Sequence, residues 1–232
     1  MTGRVGHHGI LLLGNGEIAR PAQTVLVMKE DLAPGTPASF VDPIGRTMSR
    51  IGSASIAADP GGFGGSCIQN SSAATGEAYR SDADSSMDIL TGDFTIEAFV
   101  RFPTNDPGGL YGTNIVGTPG ASISGFTLRA NTNVLAMVYP GLIGLNHNFA
   151  WAANTTYHVM ACRQGSNHYV GVNGSATLHA GTHRTSTAHN QLEVGQGSFT
   201  SKPAGDLFLA VRAVKGLALY PGTSYVVPTG PL

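Results

Sequence analysis

Carboxylates are the first test of chemistry in this chain. Glycoside hydrolysis needs two of them flanking the scissile bond, about 5–9.5 Å apart, and after Asp106 the chain offers two acids, Glu193 and Asp206. The nearest approach to a paired set is Asp93 with Glu97, and Asp93 falls in the turn before the strand that would carry Glu97. No Gly-x-Ser-x-Gly elbow positions a nucleophile, and the chain is expected not to be an enzyme. The eight histidines are scattered. His179 and His183 have a helical spacing without a helical context, which gives metal chemistry no frame, and His158 reads as a wall residue of its strand. Sugar recognition asks instead for an aromatic platform beside hydrogen-bonding groups. The candidates are the single tryptophan, Trp151, with Tyr111 and Tyr139; the other reading of Trp151 is a plug at the edge of the core.

The elements that would position these residues are strands. Phe94, Ile96, Ala98, Val100 and Phe102 alternate with Thr95, Glu97 and Arg101, the period-two pattern of a strand with one face on a core. Phe99 interrupts the polar side, so that face is expected to be partly covered. Further strands are expected at 24–28, in the stretch 40–45 with its turn, at 64–68, 125–129, 134–139, 157–163, 168–174, 176–180 and 191–195. Asn173-Gly174 is a hairpin signal, since both residues tolerate positive φ. The run from Asp206 to Val214 is apolar enough for a strand buried on both faces.

Composition agrees with a loop-rich β protein: 12% charged residues, 32 Gly and 13 Pro in 232 residues, enough chain for one large sandwich. A formal net charge of −1 and the lack of a basic run argue against nucleic acid as a partner. The charge is uneven, however: residues 1–106 hold 12 acidic and 7 basic residues, and residues 107–232 hold 2 and 6. Ile10–Leu13 is too short for a signal-peptide core or a membrane span, so no membrane insertion is expected. Residues 1–23 read as an N-terminal arm that attaches to a partner, and 24–232 as the domain. Cys67 and Cys162 read as buried free thiols, with one bridge as the alternative if they face each other.

Three stretches carry a family resemblance. Gly92–Val100, the Tyr157-His158-Val159 strand with its Arg163-Gln164-Gly165 turn, and Val211–Tyr220 running into Pro-Gly-Thr resemble laminin-G-like jelly-roll domains of the concanavalin A kind. That resemblance implies an all-β, two-sheet antiparallel sandwich. It also implies Ca²⁺ on rim loops, for which Asp42 is the candidate ligand. The family's acidic pair before the final Val-Arg is Leu209-Ala210 here, and Asp42 also reads as the cap of its own turn. Lys215–Tyr220 with Tyr225–Thr229 looks most like the variant found in bacteriophage structural proteins, although Leu219 stands where an Arg usually precedes the Tyr. The resemblance therefore implies a non-catalytic virion protein, a capsid decoration or tail component. Such a protein would be made in a bacterial cytoplasm and located in the virion. Its partners would be other virion proteins and further copies of itself, as a homo-oligomer such as a trimer. The alternative is a carbohydrate-binding adhesion module for a host surface glycan.

Overall fold

A computed structural model of the chain describes residues 24–28, 32–60, 65–70, 76–107, 112–119, 125–139, 144–181, 189–195, 205–230 and 232. The proposed arm at 1–23, Tyr111 and His183 lie outside the described residues. Among the described residues sixteen strands are formed: β1 Thr24–Met28, β2 Ser39–Val41, β3 Thr47–Ile51, β4 Ser55–Ala58, β5 Ser66–Gln69, β6 Ala78–Ser81, β7 Phe94–Arg101, β8 Thr113–Gly117, β9 Thr127–Asn131, β10 Val134–Val138, β11 Leu145–Asn148, β12 Thr156–Gln164, β13 Asn167–Val172, β14 Ser175–Ala180, β15 Glu193–Gly195 and β16 Leu207–Lys215. Two short 3-10 turns, Ser85–Met87 and Ile89–Thr91, precede β7.

The strands form two antiparallel sheets packed face to face, a jelly-roll sandwich. Sheet I runs β14-β13-β12-β7-β16-β5-β4, with β1 pairing alongside β5 on the same edge of β16. Sheet II runs β11-β10-β9-β8-β15-β6-β3-β2. Alternation builds the space between them: Phe94, Ile96, Ala98 and Val100 of β7 meet Leu128 and Ala130 of β9 and Leu135 and Met137 of β10 in one buried cluster. Asn173 at φ 47° and Gly174 at φ 89° make the β13–β14 hairpin that the Asn-Gly pair predicts. β16 is buried along all but its last residue.

The outer face of sheet I is not solvated. Residues 216–230 and Leu232 lie across it as a strap: Leu219, Tyr220 and Tyr225 pack on Met160, Cys162, Tyr169 and Ala176, and Leu232 and Val227 on Phe99 and Leu209. The strap is fixed at the hairpin, where the Ala176 N–H donates to the Thr223 carbonyl at 2.9 Å and the Tyr225 N–H to the Gly174 carbonyl at 2.9 Å. This is why Phe99 points away from the core yet is 4% exposed.

Cys67 and Cys162 both sit under this cover as free thiols. The alternative of a bridge is corrected by topology. They lie on β5 and β12, separated by β16 and β7, and three strand spacings of about 4.8 Å exceed the Cα separation of about 7 Å that a disulfide tolerates.

Candidate functional site

A one-residue irregularity decides what lies beneath the strap. Phe208 faces the core, and strict alternation would send Arg212 inward with it. The β7–β16 register shifts between Phe208 and Ala210. Leu209 and Ala210 then both pack outward by Phe99, Val211 and Ala213 turn to the core, and Arg212 comes out opposite Glu97. This is the bulge's usual effect, two residues opposing one and the faces exchanged beyond it.

The Glu97 carboxylate, 0% exposed, receives four donors. Arg212 Nε donates to Oε1 at 2.7 Å, and Arg212 Nη2 donates to the same oxygen. His158 Nε2 donates to Oε2 at 2.9 Å and the Tyr220 hydroxyl to Oε2 at 2.7 Å. His158 Nδ1 faces the Tyr225 hydroxyl at 3.1 Å. Burial alone would push the Glu97 carboxyl up; the His158 hydrogen bond, the Arg212 charge and Tyr220 outweigh it and hold the carboxyl below its ordinary value. Burial raises the Tyr220 phenol, as does the adjacent carboxylate. The set is charge-compensated and sealed, so its chemistry is structural: it fixes the strap to the sheet.

The outer face of sheet II is built differently. Leu128 and Ala130 enter the core, so Thr127, Arg129 and Asn131 project outward along β9. Across the pairing, Asn114 of β8, Arg129, Ala136 of β10 and Asn146 of β11 stand in one row. Next to it run Gly117, Thr127 and Val138. Small residues floor the row: a Cβ built on Gly144 would lie 3.0 Å from Asn146 Oδ1 and 3.5 Å from Ala136 Cβ, and one on Gly117 3.3 Å from Thr127 Cβ. Asn146 and Asn148 are exposed, Arg129 is intermediate, and Asn114, Thr127 and Ala136 are buried. The centre is thus recessed and its β11 side open. Among the described residues no apolar cluster forms on this face.

Arg129 is the unusual member. Its Nε is fully buried and has no hydrogen-bond partner among the described residues; the same holds for Thr127 Oγ1 and Asn131 Oδ1 on the same strand. Burial lowers the Arg129 pKa with no charged neighbour to oppose it. Glu193, on the same face two strands away, is held by Arg80, whose Nε donates at 2.7 Å.

The residues expected from sequence lie elsewhere. Trp151 is 5% exposed and edge-on to Phe102, Phe149 and Tyr157, and its indole N–H donates to the Asn131 carbonyl at 2.8 Å. It plugs the core, and its ring offers no open face to a sugar. Tyr139 is 3% exposed beside His168, and burial pushes its phenol up. Asp42 closes its own turn, Oδ1 accepting from the N–H groups of Ile44 at 3.0 Å and Arg46 at 2.7 Å. These two bonds are the turn-capping role that the sequence also offers for Asp42, and no group of three or more His, Cys, Asp or Glu that could hold a metal occurs among the described residues. The Arg129 row escaped sequence reading because one Arg among five residues of Thr-Leu-Arg-Ala-Asn reads as a solvated side chain. The signal available was the scarcity of acids beyond residue 106.

No protein-family model and no curated protein matches the chain in sequence. Solved structures are similar in fold. A botulinum neurotoxin type C structure, described for a cell entry that depends on two ganglioside molecules, superposes with a TM-score of 0.61 at 12% identity over 84% of this chain and 48% of that one. The binding domain of botulinum neurotoxin DC, in complex with rat synaptotagmin II, gives 0.62 at 12% over 84% and 49%. Trypanosoma rangeli sialidase gives 0.59 at 14% over 88% and 32%. The chain therefore spans half or less of each of these proteins. At such identities the likeness shows a shared β-sandwich fold.

Proposed function

We propose that the protein is a carbohydrate-binding β-sandwich module and that the outer face of sheet II is its binding face. The observation that carries this reading is the contrast between the two outer faces. One is closed by the chain's own strap. The other presents Asn114, Asn131, Asn146 and Asn148 around a recess floored by glycine and alanine, side chains that can donate to and accept from sugar hydroxyls. The neurotoxin neighbour's described interaction with gangliosides supports the same reading. The sialidase likeness covers 32% of that enzyme and supports a binding fold rather than its reaction. A glycan array probed with the full chain tests the proposal. Binding that is lost in an Asn146→Ala, Asn148→Ala double variant of unchanged melting temperature is expected. An array without a signal overturns it.

A second reading, a surface module of a virus particle that associates with other virion proteins and with itself, is supported by the sequence of the strap. Lys215–Tyr220 and Tyr225–Thr229 are the segments that resemble bacteriophage structural proteins, and in the fold they hold the cover of sheet I in place. Immunogold labelling of purified particles tests this second role.

A further inference from the structure

We propose that the recess of sheet II selects an anionic saccharide, with Arg129 as the residue that receives the sugar's oxyanion, a carboxylate or a sulfate ester. The inference rests on the glycan-binding reading and adds to it the class of sugar. It begins from a cost without a visible return. A guanidinium is the most readily paired side chain in proteins, with five donors in a planar fork. Leaving one half-buried with a bare Nε is unfavourable, because the donor has lost water and gained nothing. Arg129 is held in this state by its register: Asn114 and Ala136 flank it across the sheet, and Thr127 and Asn131 along the strand. None of these four can neutralise it.

The surroundings extend the argument. β8, β9, β10 and β11 are adjacent strands, and no Asp or Glu occurs in any of them. Arg129 is the only Lys or Arg of the four, and Glu193, a carboxylate on this face two strands away, is already bound by Arg80. An anion entering the recess meets one unopposed positive charge in a partly desolvated setting, where a charge-assisted, bidentate contact is stronger than in water. The amides around it can engage the sugar's hydroxyl groups while the fork takes the acid. A neutral sugar would use the amides and leave the guanidinium unpaired, so the face discriminates between the two classes.

The test uses the full chain in calorimetric titrations with three oligosaccharides of matched length: a neutral one, one terminated by a carboxylate-bearing sugar, and one carrying a sulfate ester. The two acidic arms distinguish the sources of the oxyanion. At least one acidic ligand is expected to bind tenfold or more tightly than the neutral one, with an affinity that falls as salt rises. Arg129→Gln, which keeps hydrogen-bonding groups and removes the charge, is expected to abolish the difference between the acidic and the neutral ligands. The melting temperature of the unliganded Arg129→Gln chain is expected to equal or exceed that of the parent, which separates lost recognition from lost folding. Equal binding of all three ligands by the parent, or an acidic preference that survives in Arg129→Gln, overturns the inference and leaves the glycan-binding reading standing. Binding of none of the three overturns both.

Discussion

Glu97 shows how a single side chain sets its own conditions. A buried carboxylate is tolerable because four donors converge on it, and removing one partner leaves an uncompensated charge rather than a hole. Glu97→Gln strands the Arg212 guanidinium, and a loss of about 3–5 kcal/mol is expected, measured by urea unfolding. Replacing both, as Glu97→Met with Arg212→Met, is expected to cost less than either single change, since no charge then remains in the apolar layer. A single-variant loss below 1 kcal/mol would show that water reaches the pair. The pH dependence has a definite sign. The Glu97 carboxyl is held below its ordinary value in the fold, so its contribution is complete above the unfolded value of about 4.3 and is lost as pH falls through the folded one. The parent should weaken on acidification below about pH 4 by more than the Glu97→Gln variant does. The two thiols are governed by the same cover. Burial pushes Cys67 and Cys162 each up to about 11, which leaves on the order of one thiolate in a thousand at pH 8. Ellman's reagent should therefore titrate neither in the native chain within minutes, and both on unfolding.

The strap forms neither strand nor helix among its described residues, only a single bridge from Ser224 to Ser175, and yet has a large effect. Tyr220, Tyr225 and Leu232 close an apolar face that includes Phe99, Met160 and Tyr169, so a chain ending at Gly216 exposes a contiguous patch of the kind that promotes association. Such a truncation is expected to bind an apolar dye and to aggregate at concentrations where the parent remains monodisperse, and a truncated chain that stays soluble with an unchanged melting temperature would deny the strap its structural part. Tyr225→Phe removes a hydroxyl facing His158 and is expected to cost about 1 kcal/mol. The strap was half legible in sequence. Phe99, an aromatic on the polar side of β7, announced that something covers that face; the cover itself, rich in Pro and Gly, carries no periodicity to betray where it lies. Long strands such as β7, β12 and β16 were legible because their alternation or apolar run persists over eight or nine residues. β3, β4, β6, β8 and β11 were not. Thr-Met-Ser-Arg-Ile, Ser-Ile-Ala-Ala, Ala-Tyr-Arg-Ser, Thr-Asn-Ile-Val-Gly and Leu-Asn-His-Asn are too short to show a sustained pattern, and pairing with neighbours, rather than propensity, makes them strands. The bulge at Leu209-Ala210 was likewise hidden, and with it the meeting of Arg212 and Glu97. Because β8 and β11 escaped notice, the face around Arg129 could not be assembled from sequence, whereas a lone tryptophan drew attention and turned out to be core.

At the scale of the molecule, sheet I is organised around its last strand. β16 pairs with β7 along one edge and with β1 and β5 along the other, so residues from the start, the middle and the end of the domain meet there. Without β16 the sheet divides: β14, β13, β12 and β7 remain on one side and β5 with β4 on the other, β1 loses its pairing partner, and the strap that covers Phe99 is gone with it. Neither part has a reason to hold its register, because the side chains that interlock across the gap, Phe208, Val211 and Ala213, belong to the missing strand. Pairings of such long sequence separation contribute nothing until the chain between them has been ordered, which makes folding all-or-none and slow. A chain of residues 1–206 is therefore expected to lack native near-ultraviolet dichroism and to show no cooperative melt. Adding a synthetic peptide of residues 205–232 is expected to restore both in a one-to-one complex, since it supplies the central strand, the Arg212 partner of Glu97 and the strap together. Arg212→Ala in the peptide should weaken that complementation at least a hundredfold, the effect of about 3 kcal/mol on a binding constant. Native dichroism in the 1–206 chain alone would instead mean that the two parts of sheet I hold their places by packing on sheet II.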